Sequence, residues 1–316
     1  MNERSPAKNL PQVTGSESRQ LGHLDLLLLL MAAMWGTNFS IIKVALTDLS
    51  PLLFASARFV LIVPVMVGLA WLTGHSLRVE RRYWLQIAGL GLLGNTVYQL
   101  LFIFGADRTS ADNAALILAT VPLFVAVLGS LAGFERIGGA GWIGVGLSLV
   151  GIFYIVTGSR GGANLEFGGA SVLGDLLVLL ATLAWSAYTV WMRPVVLRCS
   201  PIAVTVLSTA VGSVPLLLIS LPVLRIDDLV QVTNRGWLAM AASAMFGICL
   251  PYFIWNHGIR QLGSARTSLY SYLVPFIALI VAWAWLGETL TARQFLGGGL
   301  VLAGVVLARS FVRSID

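Results

Sequence analysis

The sequence predicts an all-α integral membrane protein in which ten transmembrane helices form two inverted five-helix repeats. Of its 316 residues, 57% are hydrophobic and 11% are charged, whereas soluble domains carry about 25% charged residues. Apolar runs long enough to cross about 30 Å of hydrocarbon recur from Leu24 to Arg309. The second part of the chain also repeats motifs of the first part in the same order, which makes it a second copy of one structural unit.

The apolar runs divide the chain into ten predicted spans. They cover residues 24–45, 51–73, 84–105, 111–131, 139–157, 172–192, 202–222, 236–259, 266–286 and 293–312. Residues 1–23 are polar and contain Pro6 and Pro11, a composition that predicts a disordered cytoplasmic tail. The first run is longer than a signal-peptide core of about 7–15 residues, so we expect a retained helix.

The basic residues predict how the chain is oriented in the membrane. With the N-terminus inside, 13 of the 20 Lys and Arg residues fall in cytoplasmic segments and 6 fall outside, which leaves Arg58 within a span. Because Lys and Arg gather on the cytoplasmic side, this distribution places both termini in the cytoplasm. The net charge of +6 is explained in the same way and does not indicate nucleic-acid binding.

Matched residues define the repeat in two registers. With an offset of 150, the pairs are Asp25 and Asp175, Trp35 and Trp185, Lys43 and Arg193, and Pro51 and Pro201. With an offset of 153, they are Gly94 and Gly247, Pro122 and Pro275, Glu135 and Glu288, Gly144 and Gly297, and Gly151 and Gly304. The repeats are 24–157 and 172–312, and the Gly-rich segment 158–171 links them.

Five helices are an odd number, so the second copy enters the membrane from the opposite side. Inverted repeats of this kind are typical of alternating-access transporters, with a site near the membrane midplane between the repeats. Glycines in the fifth and tenth helices predict close helix packing, which we expect within each half. Asp25, Asp175, Glu135 and Glu288 lie at helix ends or in turns, where we expect structural roles.

Several short motifs resemble a known family when they are taken in order. They are Trp35-Gly36-Thr37-Asn38-Phe39, Ser56-Ala57-Arg58-Phe59, the Thr109–Pro122 stretch, Leu286-Gly287-Glu288 and the duplicated Gly-rich fifth helix. From residue 24 to 312 the chain is similar to the EamA-type branch of the drug/metabolite transporter superfamily. The resemblance implies a five-plus-five bundle with a central cavity lined mainly by helices 1, 3, 4, 6, 8 and 9. It also implies export of small metabolites from a bacterial cytoplasm, and therefore a location in the inner membrane. Gly133-Phe134-Glu135 departs from the Leu-Gly-Glu motif of the second copy.

Candidate substrate-binding residues form stripes of aromatic and neutral polar side chains at helical spacing. They are Trp35, Asn38, Asn95, Tyr98, Gln99, Trp185, Tyr188, Tyr252, Asn256, Tyr270 and Ser271, and Trp255 shares the Tyr252 stripe. Aromatic faces with a few orienting hydrogen bonds suit an amphipathic organic solute, such as an amino acid. Amides and hydroxyls also join transmembrane helices to each other, so each of these residues has a structural alternative.

Arg58 lies about two turns into the second span, where a guanidinium is costly. One interpretation is a gate or a contact to a substrate anion, and the other is a structural bond to backbone carbonyls or an anchor at the headgroups. The second copy has Ser208 at the matching position, so the positive charge of Arg58 occurs in only one of the two repeats.

The positions of the acidic residues and of possible nucleophiles favour transport over other functions. No carboxylate falls at the middle of a predicted span, which favours facilitated diffusion or exchange over a proton-coupled drug or cation efflux carrier. An intramembrane enzyme would need acidic clusters or a paired nucleophile, and Asp227-Asp228 stands alone in a loop. We therefore expect a carrier with no enzymatic activity, no metal and no cofactor. Its partners are then a small-molecule substrate and the lipid bilayer, and a monomer and a homodimer both stay open.

Overall fold

The structure, a computed structural model, describes residues 22–106, 108–109, 114, 117–157, 169–223, 231–286 and 291–314. Apart from its last two residues, the predicted tail 1–23 lies outside the described residues, and so does the predicted linker 158–171 up to residue 168. Below, the first half means the described residues up to 157, and the second half means those from 169 onward.

The first half contains six helices, one π-helical segment and one strand among its described residues. They are α1 (His23–Ala45), α2 (Pro51–Leu72), α3 (Arg81–Gly91), the first π segment (Leu92–Val97), α4 (Tyr98–Ala106), α5 (Val121–Leu131), β1 (Glu135–Ile137) and α6 (Gly139–Thr157). The first π segment joins α3 and α4 into one run, so Arg81–Gly105 is long and apolar enough to cross a membrane.

The described part of the second half has a similar order of helices, with a π segment again in the third long helical run, but its strand follows the last helix. It comprises α7 (Gly169–Arg198), α8 (Pro201–Ser220), a 3₁₀ turn (Leu221–Val223), α9 (Asn234–Ala244), the second π segment (Met245–Cys249), α10 (Leu250–Leu262), α11 (Ser264–Leu269), a 3₁₀ turn (Tyr270–Tyr272), α12 (Leu273–Leu286), α13 (Ala292–Phe311) and β2 (Val312–Ser314). Six helical runs in the described residues are long and apolar enough to span a membrane, and shorter apolar helices accompany them.

Two helix starts show how the repeat is encoded locally. Ser50 and Ser200 both have extended backbone angles, and Pro51 and Pro201 follow them as the first helical residues of α2 and α8. Proline suits this position because its fixed φ matches the helix and its missing N–H would have no intrahelical partner. The same dipeptide therefore begins the second helix in each half.

The two π segments lie at matching places in the repeat. The first begins at Leu92 and the second at Met245, an offset of 153, which is the offset of the later sequence register. A π-helical turn carries one residue more than an α turn between hydrogen-bonded groups, and such turns occur frequently at functional sites. The sequence pattern did not predict this conformation in either half.

Helix contacts join the two halves throughout the bundle. Helix α1 packs against α12, α4 against α7, α2 against α8, and α6 against α13. The expectation that the glycines of the fifth and tenth helices pack within each half is wrong, because α6 and α13 pack against each other. A Cβ added at Gly144 would lie 2.4 Å from the Ala308 nitrogen, and one at Gly151 would lie 2.6 Å from the Gly297 oxygen.

A short antiparallel sheet closes one end of the bundle. Strand β1 pairs with β2, with Glu135 opposite Ser314 and Ile137 opposite Val312. The all-α prediction missed these strands because three-residue segments carry no clear alternating pattern. Their pairing places the connection between α5 and α6 at the same end of the molecule as the end of α13.

Candidate functional site

Six aromatic side chains meet at the centre of the contact between the two halves, around Trp185 of α7. Ring centroids of the other five lie between 5.0 and 6.2 Å from a neighbouring ring of the group. We call this group the aromatic cluster; it consists of Trp35, Tyr98, Trp185, Tyr188, Tyr252 and Trp255. The first half contributes Trp35 and Tyr98, and the second half contributes the other four. The cluster therefore exists only where the halves meet.

The π segments hold helices α1 and α7 close to the cluster. Trp35 donates its indole N–H to the carbonyl oxygen of Gly247 at 3.0 Å, within the second π segment. A Cβ added at Gly247 would lie 2.6 Å from Asn38 Nδ2, and one added at Gly94 would lie 2.5 Å from the Tyr188 ring. Glycine is required at both places because the facing side chain rests directly on the backbone.

These two contacts correspond to each other through the repeat. Asn38 and Tyr188 are related by the offset of 150, and Gly94 and Gly247 by the offset of 153. The first helix of each half thus presses one side chain onto the π-segment glycine of the opposite half. This explains why the two glycines stand out in the sequence pattern.

Three amide side chains at this level each leave one oxygen without a hydrogen-bond partner in the protein. Asn256 donates to the Tyr188 hydroxyl at 3.2 Å and to Thr205 Oγ1 at 2.8 Å, while its Oδ1 has no partner. Asn95 donates to the Ser208 carbonyl at 3.3 Å, and the Oδ1 atoms of Asn95 and Asn38 are also unpartnered. Buried acceptors in this condition are costly, and a donor supplied by a bound solute would satisfy them.

Arg58 is buried beside the aromatic cluster, with only 7% of its surface exposed. Its Nη1 donates to Ser243 Oγ at 3.4 Å, and its guanidinium carbon lies 4.4 Å from the centre of the Phe54 ring. The guanidinium is within electrostatic range of Tyr98 and Tyr252. Its Nε has no hydrogen-bond partner, and among the described residues no carboxylate forms an ion pair with it.

Gln99 completes the set of predicted residues around the cluster. It is buried, and its side chain neighbours the hydroxyl group of Tyr252. Helix α4 therefore brings both Tyr98 and Gln99 to the same place, as their positions on one predicted stripe suggested. Asn95 lies one turn earlier and faces α8 through Ser208.

Tyr270 and Ser271 are placed elsewhere in the bundle. The Tyr270 hydroxyl donates to the Asp25 carboxylate near the start of α1, and Ser271 Oγ donates to the Ser268 carbonyl at 2.7 Å. Their predicted role in substrate binding stays a prediction.

Sequence reasoning missed the contribution of Thr205, Ser208 and Ser243. Thr205 and Ser208 are three residues apart on α8, so they share one face, and they hold Asn256 and Asn95. The signal for them was the repeat, since Ser208 is the counterpart of Arg58. No set of three or more His, Cys, Asp or Glu residues arranged to bind a metal occurs in the part of the chain that the structure describes.

A separate cleft of about 330 Å³ opens on the outer surface between α3 and α7. Its lining includes Leu85, Leu93, Trp191 and Arg198, with Leu85 and Trp191 strongly exposed. None of the predicted substrate-binding residues lines it. The candidate site is therefore the aromatic cluster with Arg58, Asn38, Gln99 and Asn256.

Comparison with known proteins identifies the family. The sequence profile of the EamA-like transporter family matches residues 23–157 and again residues 172–310. The chain belongs to the EamA-like transporter family. The match occurs twice, as the repeat predicted, and together with the apolar helices it shows that the protein is a multi-pass membrane protein of the transporter class.

Individual relatives agree with this assignment over nearly their full lengths. The chain is 29% identical to the uncharacterized transporter YyaM of Bacillus subtilis, over 92% of this chain and 95% of the relative. It is 27% identical to a probable amino-acid metabolite efflux pump of Salmonella typhimurium, over 89% and 93% of the two chains. A solved crystal structure with 18% sequence identity matches the fold with a TM-score of 0.79, over 90% of this chain and 96% of that one.

Proposed function

We propose that this protein is a carrier that exports a small amphipathic solute of amino-acid type across a bacterial inner membrane by alternating access, with both termini in the cytoplasm. The observation that supports it best is the aromatic cluster, which lies between the two halves and is bordered by a buried, incompletely partnered guanidinium. The Salmonella relative, a probable amino-acid metabolite efflux pump, supports the same solute class.

The side chains of the site would divide the recognition of such a solute among them. The aromatic cluster supplies flat apolar faces against which a hydrocarbon or aromatic side chain stacks. The Arg58 guanidinium suits a carboxylate, because its planar donors match the two carboxylate oxygens. The unpartnered Oδ1 atoms of Asn38 and Asn256 are acceptors for an ammonium group.

Alternating access follows from two halves that enter the membrane in opposite directions. Helices of one half pack mainly on helices of the other, so a relative rotation of the halves changes contacts on both sides of the cluster. The π segments are suitable hinges because each lies within a long helical run next to the cluster. A solute bound between the halves would then face one side of the membrane at a time.

Counterflow in proteoliposomes tests the function without requiring a known energy source. We would compare labelled amino acids, carboxylic acids without an amine, organic cations and nucleosides. Saturable uptake of amino acids with apolar side chains is the expected result. Uptake of organic cations alone would instead favour the drug or cation carrier, and non-saturable flux would favour a channel. Adding a pH gradient tests proton coupling.

Arg58→Gln is expected to raise the half-saturation concentration for a carboxylate-bearing solute by roughly tenfold to a hundredfold, since hydrogen bonds to charged groups contribute about 1.5–3 kcal/mol. An analogue that lacks the carboxylate should lose little affinity. Arg198→Gln, at an exposed arginine, is the control. Equal effects on the solute and on its carboxylate-free analogue would show that Arg58 is structural.

Asn38→Ala and Gln99→Ala are expected to reduce specific transport by about tenfold each while leaving folded protein, because each removes a neutral hydrogen-bonding group of about 1 kcal/mol or slightly more. Counterflow at several solute concentrations measures the loss, and gel filtration checks the fold. Gln261→Ala changes an exposed amide and is the control. Normal transport by both variants would remove these residues from the site.

A further inference from the structure

A buried carboxylate connects the two halves at the end of the bundle where α1 begins. Glu135 is 1% exposed, and its Oε1 and Oε2 accept the backbone N–H of Ala265 at 3.0 and 2.8 Å. Glu135 belongs to β1 of the first half, whereas Ala265 belongs to α11 of the second half. From the sequence we expected only a structural role for Glu135 in its turn, as a helix cap or in an ion pair, so this contact between the halves was not expected.

Two further contacts between the halves lie at the same end. Arg193 of α7 donates through Nη1 to the carbonyl oxygen of Phe134, the residue next to Glu135. The Tyr270 hydroxyl donates to Asp25 near the start of α1. Directly beside Ala265, Ser264 is 1% exposed and donates to the Thr189 carbonyl at 3.0 Å. This end of the molecule is therefore closed by side chains that reach across from one half to the other.

We propose that Glu135 is a proton-binding site that regulates opening of this end, so that its carboxyl group acts as a proton-sensitive latch between the two halves. The proposal rests on the alternating-access carrier proposed above, because only such a carrier has to open here. The distribution of basic residues predicts that this is the cytoplasmic end. The latch would then make release from the closed state depend on cytoplasmic pH.

The charges around Glu135 come from several elements. Arg193 on α7 and Arg266 on α11 face it electrostatically, and the N–H groups of Ser264 and Ala265 point toward it. On the sheet, Arg136 is its neighbour and pairs in register with Arg313 of β2. On α5, an added Cβ at Gly129 would lie 2.9 Å from Oε2, so the carboxyl group is packed tightly against that helix.

Burial of Glu135 determines whether protonation favours the closed or the open state. Loss of water raises the pKa of Glu135 above its ordinary value, and the amides and arginines lower it by less. When the halves separate, the carboxyl group returns to water and to a pKa of about 4.3. The closed state therefore binds the proton more tightly. The stabilising effect of protonation is fully present below the ordinary pKa and is lost as pH rises through the raised pKa, so rising pH favours opening.

The test measures opening directly. Ser264→Cys is introduced into a chain that also carries Cys199→Ala and Cys249→Ala, the only two native cysteines. Labelling by a hydrophilic maleimide in detergent is followed as the pH is raised from the ordinary carboxyl pKa of about 4.3, because burial shifts the pKa of Glu135 in that direction. Rates are divided by those of Ser76→Cys, an exposed position, to correct for the reactivity of the thiol itself.

The corrected labelling rate should rise with pH when Glu135 is present. In Glu135→Gln it should stay low at every pH, because the neutral amide still accepts the Ala265 N–H. In Glu135→Ala it should be on the order of tenfold faster at every pH, because that acceptor is gone. Asp25→Asn, which alters another carboxylate at this end, should keep the pH dependence of the parent.

Two results would overturn the proposal: a pH-independent rate in the parent chain, or a pH dependence that survives Glu135→Gln. Labelling requires no substrate, so it is independent of whether the carrier function has been found. Counterflow with the same variants separates the two questions. Transport with a pH-independent labelling rate would reject only the latch, whereas pH-dependent labelling without transport of any solute class would reject only the proposed carrier.

Discussion

Trp185→Ala is expected to abolish measurable saturable transport, the largest functional effect that the site predicts. Trp185 is almost fully buried, and its ring contacts those of Trp35, Tyr98, Tyr188 and Tyr252 at 5.0–6.2 Å. Truncating a buried tryptophan costs about 3–5 kcal/mol. If about 3 kcal/mol of that loss falls on the solute-bound state, affinity drops by more than a hundredfold. Counterflow against solute concentration measures this change.

The same helix provides a matched control for this substitution. Trp191 lies on α7 but is 45% exposed, on the outer surface of the bundle. Trp191→Ala should therefore leave the half-saturation concentration unchanged. Trp185→Phe keeps an aromatic face and should retain intermediate transport, which separates loss of the site from loss of the fold. A folded Trp185→Ala protein with normal affinity would show that the solute binds elsewhere.

The helical architecture was largely readable from the sequence because a membrane imposes simple rules on it. Long apolar runs are required wherever the backbone crosses lipid, since its polar groups must then be satisfied within the helix. The predicted span 51–73 begins where α2 begins, at Pro51, and the predicted span 202–222 begins one residue after the start of α8 at Pro201. The repeat of the family was visible because glycines and prolines cannot be exchanged freely where the backbone is kinked or closely packed.

Partners of the helices were harder to derive than the helices themselves. Gly144 and Gly304 predicted a close helix contact, but a small residue in the sequence does not identify the helix that packs against it. The structure shows that each lies against the opposite half. The sequence pattern did not predict the π segments, for a related reason. Their extra residue per turn depends on tertiary contacts, here of Asn38 with Gly247 and of Tyr188 with Gly94, and leaves no local pattern.

The candidate site, too, was only partly predictable from the sequence. Spacing of three and four residues placed Trp185 with Tyr188 and Tyr252 with Asn256, and these side chains do lie together. The same rule placed Tyr270 and Ser271 on one stripe of their own helix, but a helix face alone does not fix depth along the bundle. The Tyr270 hydroxyl instead contacts Asp25 at the end of α1. Depth was therefore the missing information, and it depends on how the two halves are docked.

Gly144→Ala is expected to destabilise the folded protein by about 3 kcal/mol, because an extra methyl group in a closely packed contact forces the backbone to shift. Its Cβ would lie 2.4 Å from the Ala308 nitrogen and 2.7 Å from the Gly304 oxygen, so backbone would have to move. Small residues at this crossing let α6 and α13 approach closely enough for van der Waals packing, the main attraction between helices in lipid. Unfolding in mixed micelles, followed by circular dichroism, measures the change.

Gly146 provides the comparison that separates packing from helix propensity. It is two residues away on α6, and an added Cβ there would meet nothing within 4 Å. Replacing glycine by alanine in a helix should by itself stabilise it by up to about 1 kcal/mol, so Gly146→Ala should be neutral or stabilising. If the two variants had equal stability, the α6–α13 contact would not hold the halves together. If only Gly144→Ala were destabilised, the close contact between α6 and α13 would be shown to stabilise the packing of the two halves.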